Sequence, residues 1–195
     1  IYMKEIADIG SRLELFVDDW LIDRIDGAAL TLHRPVPQDV ALVSDRPWEG
    51  NDIGYVTVFK DGDLYRMYYR GSLTDYTPGE IISHHMVVCY AESGDGINWE
   101  RPSLGLVEFE GSKDNNIIWD GVGSSTFAVF KDANPDCEPD ARYKAFAAGR
   151  SGDTRGLHAL KSADGIRWSM MTGEMVITDG YFDSQNLAFW DAVRG

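Results

Sequence analysis

Short runs in which apolar and polar residues alternate recur along this chain, each bounded by residues that favour turns. Residues 56–59 are β-branched and aromatic, residues 65–70 alternate aromatic or apolar with polar positions, and residues 86–90 form a third apolar run. Runs this short, rich in Val, Tyr and Phe, predict strands rather than helices. Asp61-Gly62 between the first two runs predicts a type I′ hairpin turn, because both residues tolerate a positive φ. Residues 93–96 predict a tight turn in which the Asp95 carboxylate bonds nearby backbone and Gly96 supplies a permissive φ. Residues 97–100 then predict a fourth strand, with Trp99 as an apolar plug.

The pattern occurs twice. Ser93-Gly94-Asp95-Gly96-Ile97-Asn98-Trp99 returns as Ser162-Ala163-Asp164-Gly165-Ile166-Arg167-Trp168. Val58-Phe59-Lys60-Asp61 returns as Val129-Phe130-Lys131-Asp132, and Leu64-Tyr65-Arg66-Met67-Tyr68 is matched by Arg142-Tyr143-Lys144-Ala145-Phe146. Matched segments in one order, with a period of roughly 70 residues, mark a repeated structural unit. Four antiparallel strands per unit, repeated about a centre, describe a blade of a β-propeller. A β-sandwich with two similar hairpins is the alternative.

This reading divides the chain into N-terminal strands and a connector (1–47), a first blade (48–102), a second (117–171) and the start of a third (182–195). Within the first part, residues 15–17, 20–22 and 30–33 are strand candidates, and 35–47 is a proline-bearing connector. Residues 71–83, with Asp75, Tyr76, Pro78 and Gly79, read as an insertion between strands, the kind of loop that shapes a binding mouth. A propeller needs more blades than this, so the expectation is an all-β, N-terminal fragment of about two and a half blades from a longer protein.

Charge narrows the partners. The formal net charge is −14, the wrong sign for nucleic-acid phosphates or anionic membranes. No apolar run reaches membrane-spanning length. Residues 1–10, with Lys4 and Glu5, lack the apolar core of a signal peptide, which has been removed or was never present; a secreted or periplasmic location is the expectation. Cys89 and Cys137 have no metal-ligand spacing and make no disulfide framework. His84-His85 would point to opposite faces of a strand, which does not suit a shared metal. No metal or cofactor is expected. An acidic, aromatic-rich chain suits a neutral polar ligand such as a sugar.

Ligands of propellers bind over the starts of the innermost strands. Six residues before Val58, Val129 and Phe189 stand Asp52, Gly123 and Asp183. Two carboxylates converging on one axis are what glycoside hydrolysis requires: one as acid, the other as nucleophile or as the base that activates water. Strand termination and turn capping are the structural alternative for both. Trp48, Tyr55 and Tyr76 are candidates to stack on a sugar ring, Trp48 foremost because it lies beside the presumed mouth.

Asn51-Asp52-Ile53-Gly54-Tyr55-Val56-Thr57-Val58-Phe59-Lys60, followed by Tyr65-Arg66-Met67-Tyr68-Tyr69, resembles the first blade of the five-bladed glycoside hydrolases of families 32, 43 and 68. Residues 15–23 and 182–191 are similar to uncharacterised bacterial proteins described as family 32 N-terminal-like. The resemblance implies a five-bladed β-propeller acting on glycosidic bonds of an oligo- or polysaccharide. Asp52 would then be nucleophile or base and Asp183 the acid, with Asn51 and Gln185 bonding sugar hydroxyls. Ile53 stands where family 32 has proline, and Gly54-Tyr55 where it has Asn-Gly. Gly123-Ser124-Ser125-Thr126 stands where a second acid is usual, and Asp183 where Glu is usual. The alternatives are a carbohydrate-binding propeller that does not cleave, and a glycoside phosphorylase. The last would need basic residues to hold phosphate, and none cluster in sequence near Asp52 or Asp183.

Overall fold

Eight strands form from the alternating runs. They are β1 (Gly54–Asp61), β2 (Leu64–Thr77), β3 (Glu80–Ser93), β4 (Ile117–Trp119), β5 (Ala128–Lys131), β6 (Tyr143–Ser151), β7 (Thr154–Ser162) and β8 (Ser169–Met170). The computed structural model describes residues 6–77 and 80–194, with side chains from 76 to 82 left out. Lys4, Glu5, Pro78, Gly79 and the Tyr76 ring therefore lie outside the described residues. The protein is all-β, with two antiparallel four-stranded sheets in the orders β1-β2-β3-β4 and β5-β6-β7-β8.

By contacts the chain divides into Ile1–Asp39 and Val40–Gly195. In the first unit the strands expected at 15–17, 20–22 and 30–33 do not form among the described residues. Local bonds take their place: Trp20 N–H donates to the Asp18 carboxylate and Val17 N–H to the Leu15 carbonyl. A strand needs a partner for its backbone groups, and here turns of the chain itself satisfy them. Leu13, Leu15, Val17 and Trp20 stay exposed. Residues 182–191, expected to open a third blade, likewise carry no strand.

The second unit holds both sheets. On β2 and β3 side chains alternate between two faces, as the pleat requires. Tyr68, Val88 and Tyr90 meet Phe127, Val129, Ala145 and Leu160 in a core between the sheets. Met67, Tyr69, Val87 and Cys89 face the other way, into a second core with Trp48, Trp99 and Phe109. Each large apolar side chain so buried contributes about 1.5–3 kcal/mol. The register makes Met67, Tyr69 and Ala91 the counterparts of Ala145, Ala147 and Leu160. Trp99 packs with the first set and Trp168 with the second.

Four local readings are corrected. The fourth strand of the first sheet is β4, not residues 97–100, of which Glu100 alone bridges β3, at Glu92. The apolar run 117–119 wins because Asn116, just before it, is buried and donates to the Tyr90 carbonyl and the Tyr69 hydroxyl. Residues 71–77 and 80–83 extend β2 and β3 into a long ribbon instead of an insertion loop, and a bulge sits at Gly71/Leu73. That bulge sets His84 and His85 both against Phe109, where opposite faces were expected. Finally, Asp61 pairs with Leu64, so Gly62-Asp63 makes the turn; a positive φ at Gly62 alone (66°) fits type II′.

The two sheets are also tied by charge. Asp61, at the end of β1, accepts from Lys131 and Tyr143 of the second sheet and pairs with Arg66 at 2.6 Å. Burial works to raise its pKa, but Lys131, Tyr143 and Arg66 outweigh it and hold the carboxyl below its usual range. β1 and β5, the first strands of their sheets, lie side by side.

Candidate functional site

The approach to β1 is fixed by a buried polar cluster. Glu49 is wholly buried and accepts from the Tyr69 hydroxyl at 2.6 Å, from Arg101 at 2.8 Å, and from the N–H groups of Asp45 and Arg46 at 3.2 Å. Every strong acceptor direction of this carboxylate is used, the condition under which a buried charge is tolerated. Trp48 belongs to this cluster. Its indole N–H donates to Asn116 at 2.6 Å and its ring packs edge-on to Phe109. The sugar-stacking candidate is thus a half-buried residue with its polar edge engaged.

Next, the chain crosses β2 at close range. Gly50 (φ 64°) and Gly71 are required there, since an added Cβ would lie 2.2 Å from the Ser72 carbonyl oxygen and 2.5 Å from that of Trp48, respectively. Asn51 and Asp52 both donate their N–H groups to the Ser72 carbonyl at 3.1 Å. The Asn51 side chain pairs with the Thr74 backbone in both directions, at 2.9 and 3.1 Å, extending the sheet edge.

Asp52 is exposed at the mouth of this turn. Its Oδ2 pairs with Arg70 and accepts from the Ser72 hydroxyl at 3.2 Å. Its Oδ1 has no partner among the described residues. One oxygen fixed and one open is the arrangement a nucleophile or general base needs. Arg70 in turn stacks 4.7 Å from the centre of the Tyr55 ring.

Asp183 lies on the segment that follows the second sheet. It lines a cleft of about 190 Å³ with Ser125, Thr126, Arg150 and Arg155. Gln185 joins this segment to the first sheet, donating to the Tyr55 carbonyl at 2.7 Å and to the Thr57 hydroxyl at 3.2 Å. The structure thus brings the loops of Asp52 and Asp183 to the same end of β1. Among the described residues, three of the four non-glycine residues with positive φ gather here: Tyr55 (51°), Phe182 (48°) and Ser184 (59°). Such conformations cost of order 1–3 kcal/mol each and concentrate at functional sites.

Two further points bear on these positions. Basic groups do gather here: Arg70 at Asp52, and Arg150 with Arg155 at Asp183. Arg150 and Arg155 flank the hairpin turn of residues 151–154, so the Gly152-Asp153 turn signal would have set them opposite one another. In addition, Phe59-Lys60-Asp61, Phe130-Lys131-Asp132 and Phe189-Trp190-Asp191 align the three segments with Val58 matched by Val129 and Ala188. On that alignment Phe182 answers to Asp52, and Asp183 stands one residue further on.

The fold and site together define an all-β protein of repeated four-stranded sheets with two exposed aspartates near the start of its first strand. Two uncharacterized proteins of Mycobacterium tuberculosis are similar to it, Rv1502 of strain ATCC 25618 / H37Rv and MT1551 of strain CDC 1551 / Oshkosh. Each is 27% identical over 119 residues, 61% of this chain and 34% of the relative. The chain spans about a third of the length of these curated relatives. No protein-family profile matches the chain, and no solved structure matches it.

Proposed function

We propose that this chain forms part of a glycoside hydrolase-like β-propeller, with Asp52 as nucleophile or base and Asp183 as the acid that protonates the leaving oxygen. The observation that carries the reading is the Gln185 tether, which holds the Asp183 segment on β1 beside the turn bearing Asp52. A carboxylate on each of two loops that reach one strand suits the division of labour in glycosidic cleavage. The adjacency of β1 and β5, each the first strand of a matched sheet, supports a radial arrangement of blades. The substrate class is an oligo- or polysaccharide.

Binding without cleavage is a second reading, favoured by one observation. The second sheet's approach, residues 123–126, offers hydroxyls where the resemblance leads one to expect a carboxylate. Turnover of a panel of aryl glycosides and oligosaccharides by the protein separates the two. Asp52→Asn and Asp183→Asn should each lower turnover by about a hundredfold or more with the fold retained. Sugar binding with no cleavage of any glycoside supports the second reading, and wild-type turnover in both variants refutes the assignment.

A further inference from the structure

We propose that Arg150 and Arg155 form an oxyanion subsite beside Asp183, which takes a carboxylate carried on a sugar ring or a free phosphate. The inference rests on the reading of the Asp183 cleft as a ligand site. Arg150 and Arg155 are direct cross-strand partners on β6 and β7. Like charges in that position repel and destabilise a hairpin, so the pair needs a compensating role. Neither guanidinium makes an ion pair or hydrogen bond among the described residues. Eight of the twelve arginines do form ion pairs, in a chain with 32 acidic residues. Acidic partners are abundant, and this pair is nevertheless left without one.

The surroundings favour an anion. Thr126 lines the same cleft, and its Oγ1 already accepts the Ala148 N–H at 3.0 Å, which leaves its own O–H to donate. Gly149 lines the cleft with backbone alone, and its missing Cβ makes room on the other face of the strand for the His158 ring and Val122, which a Cβ would meet at 2.8 and 2.9 Å. Two planar guanidinium forks and a hydroxyl donor suit carboxylate and phosphate recognition. The counterpart of Arg150 in the first sheet is Ser72, so the charge pair belongs to this cleft and not to the repeat.

Calorimetric titration of the protein with inorganic phosphate, with sodium glucuronate and with neutral methyl glucoside tests the proposal. At least one anion should bind, more weakly as salt rises, and Arg150→Gln or Arg155→Gln should each weaken it on the order of tenfold. The double variant should lose it, whereas Arg142→Gln, just before β6 and away from the cleft, should not. Phosphate binding alone assigns the subsite to free phosphate; glucuronate binding alone assigns it to a sugar-borne carboxylate. Absence of binding by either anion, or equal binding by the double variant with its fold retained, overturns the proposal. Cleavage of neutral glycosides without arginine-dependent anion binding removes this subsite and leaves the hydrolase reading standing. Arginine-dependent anion binding in a protein that cleaves nothing does the reverse.

Discussion

The ends of the two sheets that carry the turns at residues 93–99 and 162–168, here termed outer, make the same backbone bonds. In the first, Ser93 Oγ accepts from the N–H groups of Asp95 and Gly96 while Asp95 Oδ1 accepts from those of Ile97 and Asn98. In the second, Ser162 and Asp164 repeat all four bonds with Asp164, Gly165, Ile166 and Arg167. Gly96 and Gly165 share a φ of 77°. The opposite, inner ends, where the chain enters β1 and β5, share almost nothing. One has a buried Glu49, an Asp52–Arg70 pair and a left-handed Tyr55; the other has Gly123, Ser125 and Thr126 under two arginines. Parts that recur unchanged do the work of folding, and parts that differ are free to do chemistry.

The largest effect should come from an inner-end feature that has a structural task. Glu49→Ala strands Arg101 and the Tyr69 hydroxyl in a buried site and should cost about 3–5 kcal/mol in urea unfolding. A loss under 1 kcal/mol would mean that the cluster does not hold the approach to β1. Trp99→Ala and Trp168→Ala should each cost about 3 kcal/mol, because both plug equivalent faces. A large loss for one and none for the other would break the equivalence of the two sheets.

Smaller effects separate the turns by pH. Burial works to raise the pKa of Asp164, yet the N–H groups of Arg167 and Ile166 lower it to about 2, from 3.8. A carboxylate depressed in the fold stabilises it fully above the unfolded pKa, and that stability is lost as pH falls through the folded one. Melting temperature should therefore drop between about pH 4 and pH 2, and Asp164→Asn should flatten part of that drop. Its half-exposed position limits the effect to about 1 kcal/mol. Asp95, held low by the N–H groups of Asn98 and Ile97, should act in the same direction. The smallest effect concerns the arginine pair: replacing both with Gln should raise stability by a few tenths of a kcal/mol through relief of repulsion.

What the sequence made legible follows the same division. The two turns were readable because all their bonds close within five residues, and the hairpins because alternation needs only the pleat. β4 was misplaced because the runs at 97–100 and 117–119 look equally strand-like, and the choice was made by Asn116 reaching Tyr69 and Tyr90 across the fold. Glu49 was overlooked because a glutamate reads as surface until its partners, Tyr69 and Arg101, come together from distant positions. Asp52 is marked by spacing alone, six residues before Val58 of a repeated strand. Arg70, Arg150 and Arg155 appear beside the aspartates only once the strand register is known.

One paired measurement tests the central claim, that the outer ends serve the fold and the inner ends serve the ligand: the melting temperature and glycoside turnover of Asp52→Asn beside Asp164→Asn. The account predicts that Asp52→Asn loses turnover by about a hundredfold at an unchanged melting temperature, and that Asp164→Asn keeps turnover while melting a few degrees lower. An Asp52→Asn protein that melts early and still turns over at the wild-type rate would contradict it.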